Sequence, residues 1–248
     1  MCGERIASDA LQCEFCGEAL TSQAARGMHR FVPSAMDASE TLGLSWRIYR
    51  SRNGLCFGVF ILQLAIILLA GVPAELADNG VFGDNLRSLK SPLSLLGTVV
   101  NSFLVIGQLI IYLKVARQEP TEISELFSGG KYLLRVWGAS LVYGFLFIVG
   151  FICLIVPAIY VWLVLWPCIL MVVDQDVGVF ESISRAYEVG KINKLQTFIL
   201  FILMFFLAVA GFLAACVGLL YVLPLITMMQ VVAYLQMTGQ TPPEPAAS

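Results

Sequence analysis

Three cysteines lie near the start of the chain, Cys2, Cys13 and Cys16, and the last two form a C-x-x-C-G knuckle closed by Gly17. Two cysteines three residues apart can wrap one soft cation, and a following glycine lets backbone N–H groups turn toward the sulfurs. Structural zinc is tetrahedral and takes four ligands, whereas this stretch supplies three thiols. The fourth position falls to a water, to His29 (thirteen residues beyond Cys16 and the only histidine), or to a residue upstream of Met1. Redox chemistry is the competing use of a C-x-x-C pair. It normally needs a helix N-terminus beside a strand in a thioredoxin-like fold, and nothing in the chain reads as one. A third reading is a degenerate knuckle that holds no metal. The expected cofactor is one structural zinc on Cys2, Cys13 and Cys16.

A second polar set sits among apolar residues. Asn101 and Gln108 are seven apart, two turns of a helix, with Gly97 and Tyr112 near the same face and with Gln63 and Gln230 in other apolar runs. Such amides can line a polar cavity or solute path, or they can hydrogen-bond one helix to another, which is the commoner use. Nothing else in the chain suggests catalysis. There is no H-E-x-x-H, G-x-S-x-G or P-loop motif, so a non-enzymatic protein is expected.

The elements that must position these residues follow from charge exclusion. The chain of 248 residues is 58% hydrophobic and 13% charged, with a mean hydropathy of +0.84, far from the quarter charged of a soluble domain. Residues 54–74, 91–113, 136–173 and 195–243 contain no Asp, Glu, Lys or Arg. A hydrocarbon core of about 30 Å takes roughly 20 helical residues, so the first two stretches are one span each and the last two are two spans each. Six transmembrane helices result, arranged as three hairpins, in an all-α membrane protein. Pro157 suits the first turn of the fourth helix, Pro167 should kink it, and Gly218 and Pro224 mark the start of the sixth.

Cations set the orientation. Thirteen of the fifteen Lys and Arg residues fall in the N-terminal segment and in the loops between spans two and three and between spans four and five, and only Arg87 and Lys90 fall on the other side. By the positive-inside rule both termini are cytoplasmic in a multi-pass protein of the cell membrane. No apolar signal segment is found in the first 50 residues. The N-terminal thiols therefore face a reducing compartment, where paired cysteines are metal ligands more often than disulfides. Cys56, Cys153, Cys168 and Cys216 lie in apolar spans or at their ends and read as small packing residues.

Each hairpin is preceded by an amphipathic segment: SETLGLSWRIYRSR, TEISELFSGGKYLLR and VGVFESISRAYEVGK. In the second, Ile123, Leu126, Phe127 and Leu134 share a helical face, and in the third Val179, Phe180, Ile183 and Tyr187 do so. An aromatic precedes a cation by four residues in all three, at Trp46/Arg50, Phe127/Lys131 and Tyr187/Lys191. This is either an internal repeat of in-plane helix plus hairpin or the ordinary chemistry of interfacial helices. Small residues four apart, Gly211/Ala215 and Ala214/Gly218, read as close-packing spacers.

Two resemblances add to this. The run PAIYVWLVLWPCILMVVDQDVGVFESISRAYEVGKINK, with Pro157, Pro167, the acidic turn at Asp174 and Asp176 and the Glu181-to-Lys191 segment, resembles the glycerophosphoryl diester phosphodiesterase membrane-domain family. The likeness covers residues 39 to 236 and implies a six-span bacterial inner-membrane domain without the soluble catalytic barrel. The segment CGERIASDALQCEFCG looks like a short bacterial zinc ribbon lacking its first cysteine, since ten residues separate Cys2 from Cys13. The expected organisation is a zinc-ribbon-like segment over 1–26, a linker over 27–38, a transmembrane domain over 39–238 and a disordered tail over 239–248. The expected function is a membrane-embedded interaction or organising module whose tail docks a cytoplasmic protein or a second copy. The alternative is a transporter or channel for a small or lipid-like solute. Membrane lipids are expected partners, and nucleic acid is not.

Overall fold

The structure is a computed structural model that describes residues 31–78, 90–153, 155–214, 217–240 and 242–243. The knuckle cysteines Cys2, Cys13 and Cys16, together with His29, lie outside these residues. Among the described residues the secondary structure is helical, without strands.

Helix α1 (Ala38–Ser51) starts at Asp37, whose side chain accepts the backbone N–H groups of Ser39 and Glu40 at 2.8 and 3.1 Å, an acidic N-cap that satisfies donors the helix leaves unpaired. Its inner face carries Thr41, Leu44, Ser45, Ile48 and Tyr49 at i, i+3, i+4 and i+7 spacing. The chain then turns by 86° into α2 (Asn53–Asp78). The first amphipathic segment is thus a separate helix set across the span that follows.

Helix α3 (Lys90–Ala116) ends in a Schellman motif. Gln118, at φ 57°, donates its N–H to Val115 O, and Glu119 donates to Lys114 O. Pro120 follows and prevents further helix. The second amphipathic segment is a 3-10 helix, Ile123–Tyr132. It packs backbone to backbone on α3. A Cβ on Gly107 would collide with the Leu126 carbonyl, and one on Gly129 with the Phe103 carbonyl, so glycine is required at both places.

The second hairpin is α4 (Leu133–Cys153) and α5 (Ile155–Leu165), a single residue apart. The fourth span breaks at Trp166 and Pro167 and resumes as α6 (Cys168–Gln175), where Pro167 expects a kink. The third hairpin is α7 (Val179–Leu213) and α8 (Val217–Met237), with Pro224 inside α8. The third amphipathic segment differs from the other two. It is continuous with its span, because residues 179–213 contain no proline and Gly190 is used for close approach to Val164 rather than as a break.

Among the described residues five helices are long and apolar enough to cross a membrane, and six if the bent α1–α2 pair counts as one span. In lipid the association of such helices rests on packing, small residues and hydrogen bonds rather than on the hydrophobic effect. The hairpins are assembled accordingly. α8 touches α1, α2 and α3, and α7 touches α4, α5 and α6, so the third hairpin joins the other two. The best-packed region, with Tyr49, Tyr112, Met171, Met228, Met229 and Tyr234 fully buried, sits where α1, the end of α3, α6 and the end of α8 meet. Gly211 and Gly218 face each other near the far end of the third hairpin, where a Cβ on Gly218 would come within 2.7 Å of Gly211 O. Cys56 and Cys168 are buried, as packing residues should be, while Cys153 is exposed at the end of α4.

Residues 31–37, within the stretch read as a linker, follow a fixed path over the end of α8. Val32 and Ser34 donate to Thr238 O and Met237 O at 3.3 and 3.0 Å. Asn193 of α7 accepts from Met36 N at 2.8 Å and donates to Ser34 O at 2.7 Å, so its amide copies a strand partner. Ala38 N donates to Gln196 Oε1 at 3.2 Å. Helix α8 ends under this strap in a second Schellman motif, with Gly239 at φ 75° and its α-carbon facing Val32 O.

Candidate functional site

The functional groups gather at the end of the bundle where α3, the 3-10 helix, α6 and α8 meet. α3 supplies Lys114 and, at its cap, Arg117, because its last turn emerges from the apolar run into a cation-rich loop. α6 supplies Asp174 and Gln175 in its last turn, and Asp176 caps it in the left-handed region at φ 54°, a conformation that Asp tolerates better than most residues.

Arg117 Nη2 lies 2.7 Å from Asp174 Oδ1, and the two side chains are 15% and 5% exposed. Asp174 Oδ2 also accepts the Tyr234 hydroxyl at 2.8 Å and the Gln240 amide at 3.4 Å. Arg117 donates in turn to Gln240 Oε1, closing a ring between α3, α6 and the end of α8. Gln175 extends it, donating to Tyr234 Oη at 3.2 Å and accepting from Arg185 of α7. A buried ion pair satisfied in this way costs little net stability, but removing one partner strands the other charge at a cost of about 3–5 kcal/mol.

Two further pairs flank the ring. Lys114 binds Glu125 across α3 and the 3-10 helix. Lys131 lies 2.7 Å from Asp176 Oδ2, and Arg135 binds the other oxygen of the same carboxylate. The hydrogen bond from Lys131 holds the Asp176 carboxyl below the usual carboxylate range. Partial burial opposes this, and the charges of Lys131 and Arg135 add to it. Lys114, Arg117, Glu125, Lys131, Asp174, Gln175 and Asp176 line an open cleft of about 480 Å³ whose apolar wall is Ile110, Leu113 and Val173. Two polar atoms near it lack a protein partner, Arg117 Nε and Glu125 Oε2; an unmatched buried polar group costs roughly 1–3 kcal/mol. Most of these charges are held against a partner, which suits binding and positioning better than proton transfer.

The amides singled out by sequence lie apart from this cleft. Gln108 is buried and donates to Tyr112 Oη at 3.3 Å, and Tyr112 donates to Cys56 O at 3.0 Å, which ties α3 to α2. Asn101, two turns earlier, is exposed. Gln63 is buried with its Oε1 unpartnered, and Gln230 is half-buried. Of the aromatic–cation pairs, Lys191 does sit over Tyr187, at 5.8 Å. Lys131 sits over Tyr132 at 5.1 Å, with Phe127 exposed, and Trp46 turns its edge to Tyr221 at 6.5 Å. Among the described residues no group of three or more His, Cys, Asp or Glu could hold a metal ion.

From sequence, Arg117 and Arg135 served only as topology markers, Lys131 as a topology marker and as the cation following Phe127, and Asp174 and Asp176 only as an acidic turn. The available signal was an acidic pair at the very end of an apolar span, on the side where the cations accumulate. Comparison of the chain with protein-family models, curated proteins and solved structures finds no match.

Proposed function

We propose that the chain is a non-enzymatic multi-pass protein of the cell membrane, with both termini cytoplasmic, that acts as an interaction or organising platform. Its N-terminal tail would bind one structural zinc through Cys2, Cys13 and Cys16 and dock a cytoplasmic protein or a second copy of the chain. The observation that carries this reading is the strap. The residues that follow the cysteine segment are tied to Asn193, Gln196 and the end of α8 by five hydrogen bonds. Anything held by the tail is therefore presented from a defined point on the cation-rich face. The likeness of the spans to the phosphodiesterase membrane-domain family, in which catalysis belongs to a separate barrel, agrees with a non-catalytic role.

The test is purification of the full chain from native membranes with metal analysis and site-specific photocrosslinking from the tail. About one zinc per chain, lost in Cys13→Ser and Cys16→Ser, and one reproducible crosslinked partner whose yield falls in Asn193→Ala support the platform. Absence of both zinc and crosslinks overturns it. The second reading, a carrier of a small or lipid-like solute, is favoured by the 480 Å³ cleft. Solute-dependent flux in proteoliposomes that is lost on altering the cleft would establish that reading instead.

A further inference from the structure

The cleft between α3, the 3-10 helix and the α6–α7 turn has a charge pattern that goes beyond a platform role. Lys114 and Glu125 neutralise each other, as do Arg117 and Asp174. Two charges are left over. Lys131 and Arg135 share the single carboxylate of Asp176, so that group carries one excess positive charge, presented to the cleft by Lys131, whose side chain is 62% exposed. Glu119 also lines the cleft and has no ion pair or side-chain hydrogen bond among the described residues, which leaves one excess negative charge.

A cleft with one unspent cation and one unspent carboxylate is matched to a zwitterion. A simple anion would meet Glu119, and a simple cation would meet Lys131. The position narrows the choice. The cleft lies at the ends of the apolar spans, and its wall of Ile110, Leu113 and Val173 is continuous with them, so a ligand there has its polar part among charges and its apolar part among aliphatic side chains. The volume falls within the roughly 300–1,000 Å³ of small-ligand sites. A primary ammonium offers three N–H donors to a carboxylate, whereas a quaternary one offers none.

We infer that this cleft binds the ammonium–phosphate headgroup of an ethanolamine phospholipid, with the phosphate at Lys131 and the primary ammonium at Glu119. Both contacts can be removed without dismantling the fold. Among the described residues Glu119 holds nothing else in place through its side chain, and Arg135 still occupies Asp176 when Lys131 is truncated.

The experiment uses the purified full chain in detergent. Native mass spectrometry counts the lipid retained after exposure to phosphatidylethanolamine, phosphatidylcholine or phosphatidylglycerol, and thermal unfolding in phosphatidylglycerol controls for folding. The expected result is one phosphatidylethanolamine per chain, retained at least tenfold more than either other lipid. Glu119→Gln and Lys131→Ala should each reduce that retention at least tenfold while the unfolding midpoint in phosphatidylglycerol stays within about 2 °C of the parent. Equal retention of phosphatidylglycerol, or undiminished phosphatidylethanolamine retention in both variants, overturns the inference. Full displacement by soluble phosphoethanolamine at millimolar concentration would assign the site to an aqueous solute of the same chemistry and overturn the membrane source. None of these outcomes depends on zinc or on a tail partner, so the platform reading stands or falls separately.

Discussion

Where α3, α6 and α8 converge, Arg117, Asp174, Tyr234 and Gln240 form one connected polar group over a layer of fully buried side chains. At the apex of the α4–α5 hairpin, Phe145, Ile148, Phe151 and Ile152 are all exposed, and contact between the helices rests on the backbone approach of Gly150 to Ala158. The contrast shows which forces assemble helices in lipid. Outward phenylalanines and leucines cost nothing where the surroundings are as apolar as they are. Adhesion must then come from hydrogen bonds and from places where glycine lets backbones meet. This chain concentrates the first at one end and spreads the second along the hairpins.

The largest effect is expected at the buried charge. Asp174→Ala strands Arg117 and Tyr234 and should destabilise the protein by about 3–5 kcal/mol in thermal or denaturant unfolding in detergent. An equally mild change at Phe151→Ala and Asp174→Ala would erase the distinction between the two ends. Next come the close approaches. Gly107→Ala and Gly190→Ala place a methyl against the carbonyls of Leu126 and Val164 and should cost roughly 1–3 kcal/mol, whereas Gly58→Ala, with open space around its α-carbon, should be neutral or slightly stabilising.

A smaller difference separates the two amides of α3. Gln108→Leu removes the bond to Tyr112 and should cost about 1 kcal/mol, while Asn101→Leu, on the exposed surface, should leave the unfolding midpoint unchanged. If Asn101→Leu instead abolishes a measurable transport activity, the amide serves a path and not packing.

The smallest effect concerns pH. The folded Asp176 carboxyl titrates below the unfolded value of about 3.9. The stability it contributes is therefore complete above that pH and is lost as pH falls through the folded value. Accessibility of the α6–α7 turn to protease should rise only below about pH 4, and at a higher pH in Lys131→Ala. Loosening already near neutral pH would contradict the pairing.

Spans and breaks were legible because both arise locally. Charge exclusion marks residues in lipid, and a missing N–H at Pro167 interrupts a helix whatever surrounds it. The amphipathic helix at residues 38–51 was legible from its apolar face, and the 3-10 geometry of the second segment was not. It depends on how near Gly107 and Gly129 let two backbones come, which is a tertiary fact. The third segment gave the same amphipathic signal as the others, yet it continues as one helix because nothing between residues 191 and 195 stops it. The charged cleft was hidden for a related reason. Arg117 and Asp174 are distant in sequence, and each taken alone is an ordinary residue at the end of a span. Asn193 gave no sign of its role, since a polar residue on a helix reveals a backbone partner only when the strap is seen lying on it.

The central claim is that the ion-pair network, the strap and the tail share one side of the membrane, and that this side is the cytoplasm. Topology reporters fused after residues 85, 122, 180 and 240 test it directly. The account requires positions 122, 180 and 240 to report the same side, because Arg117, Asp174 and Gln240 are in contact, and it predicts that side to be internal and position 85 to be external. An external signal at 122 or 180, or opposite sides for 122 and 240, would contradict it.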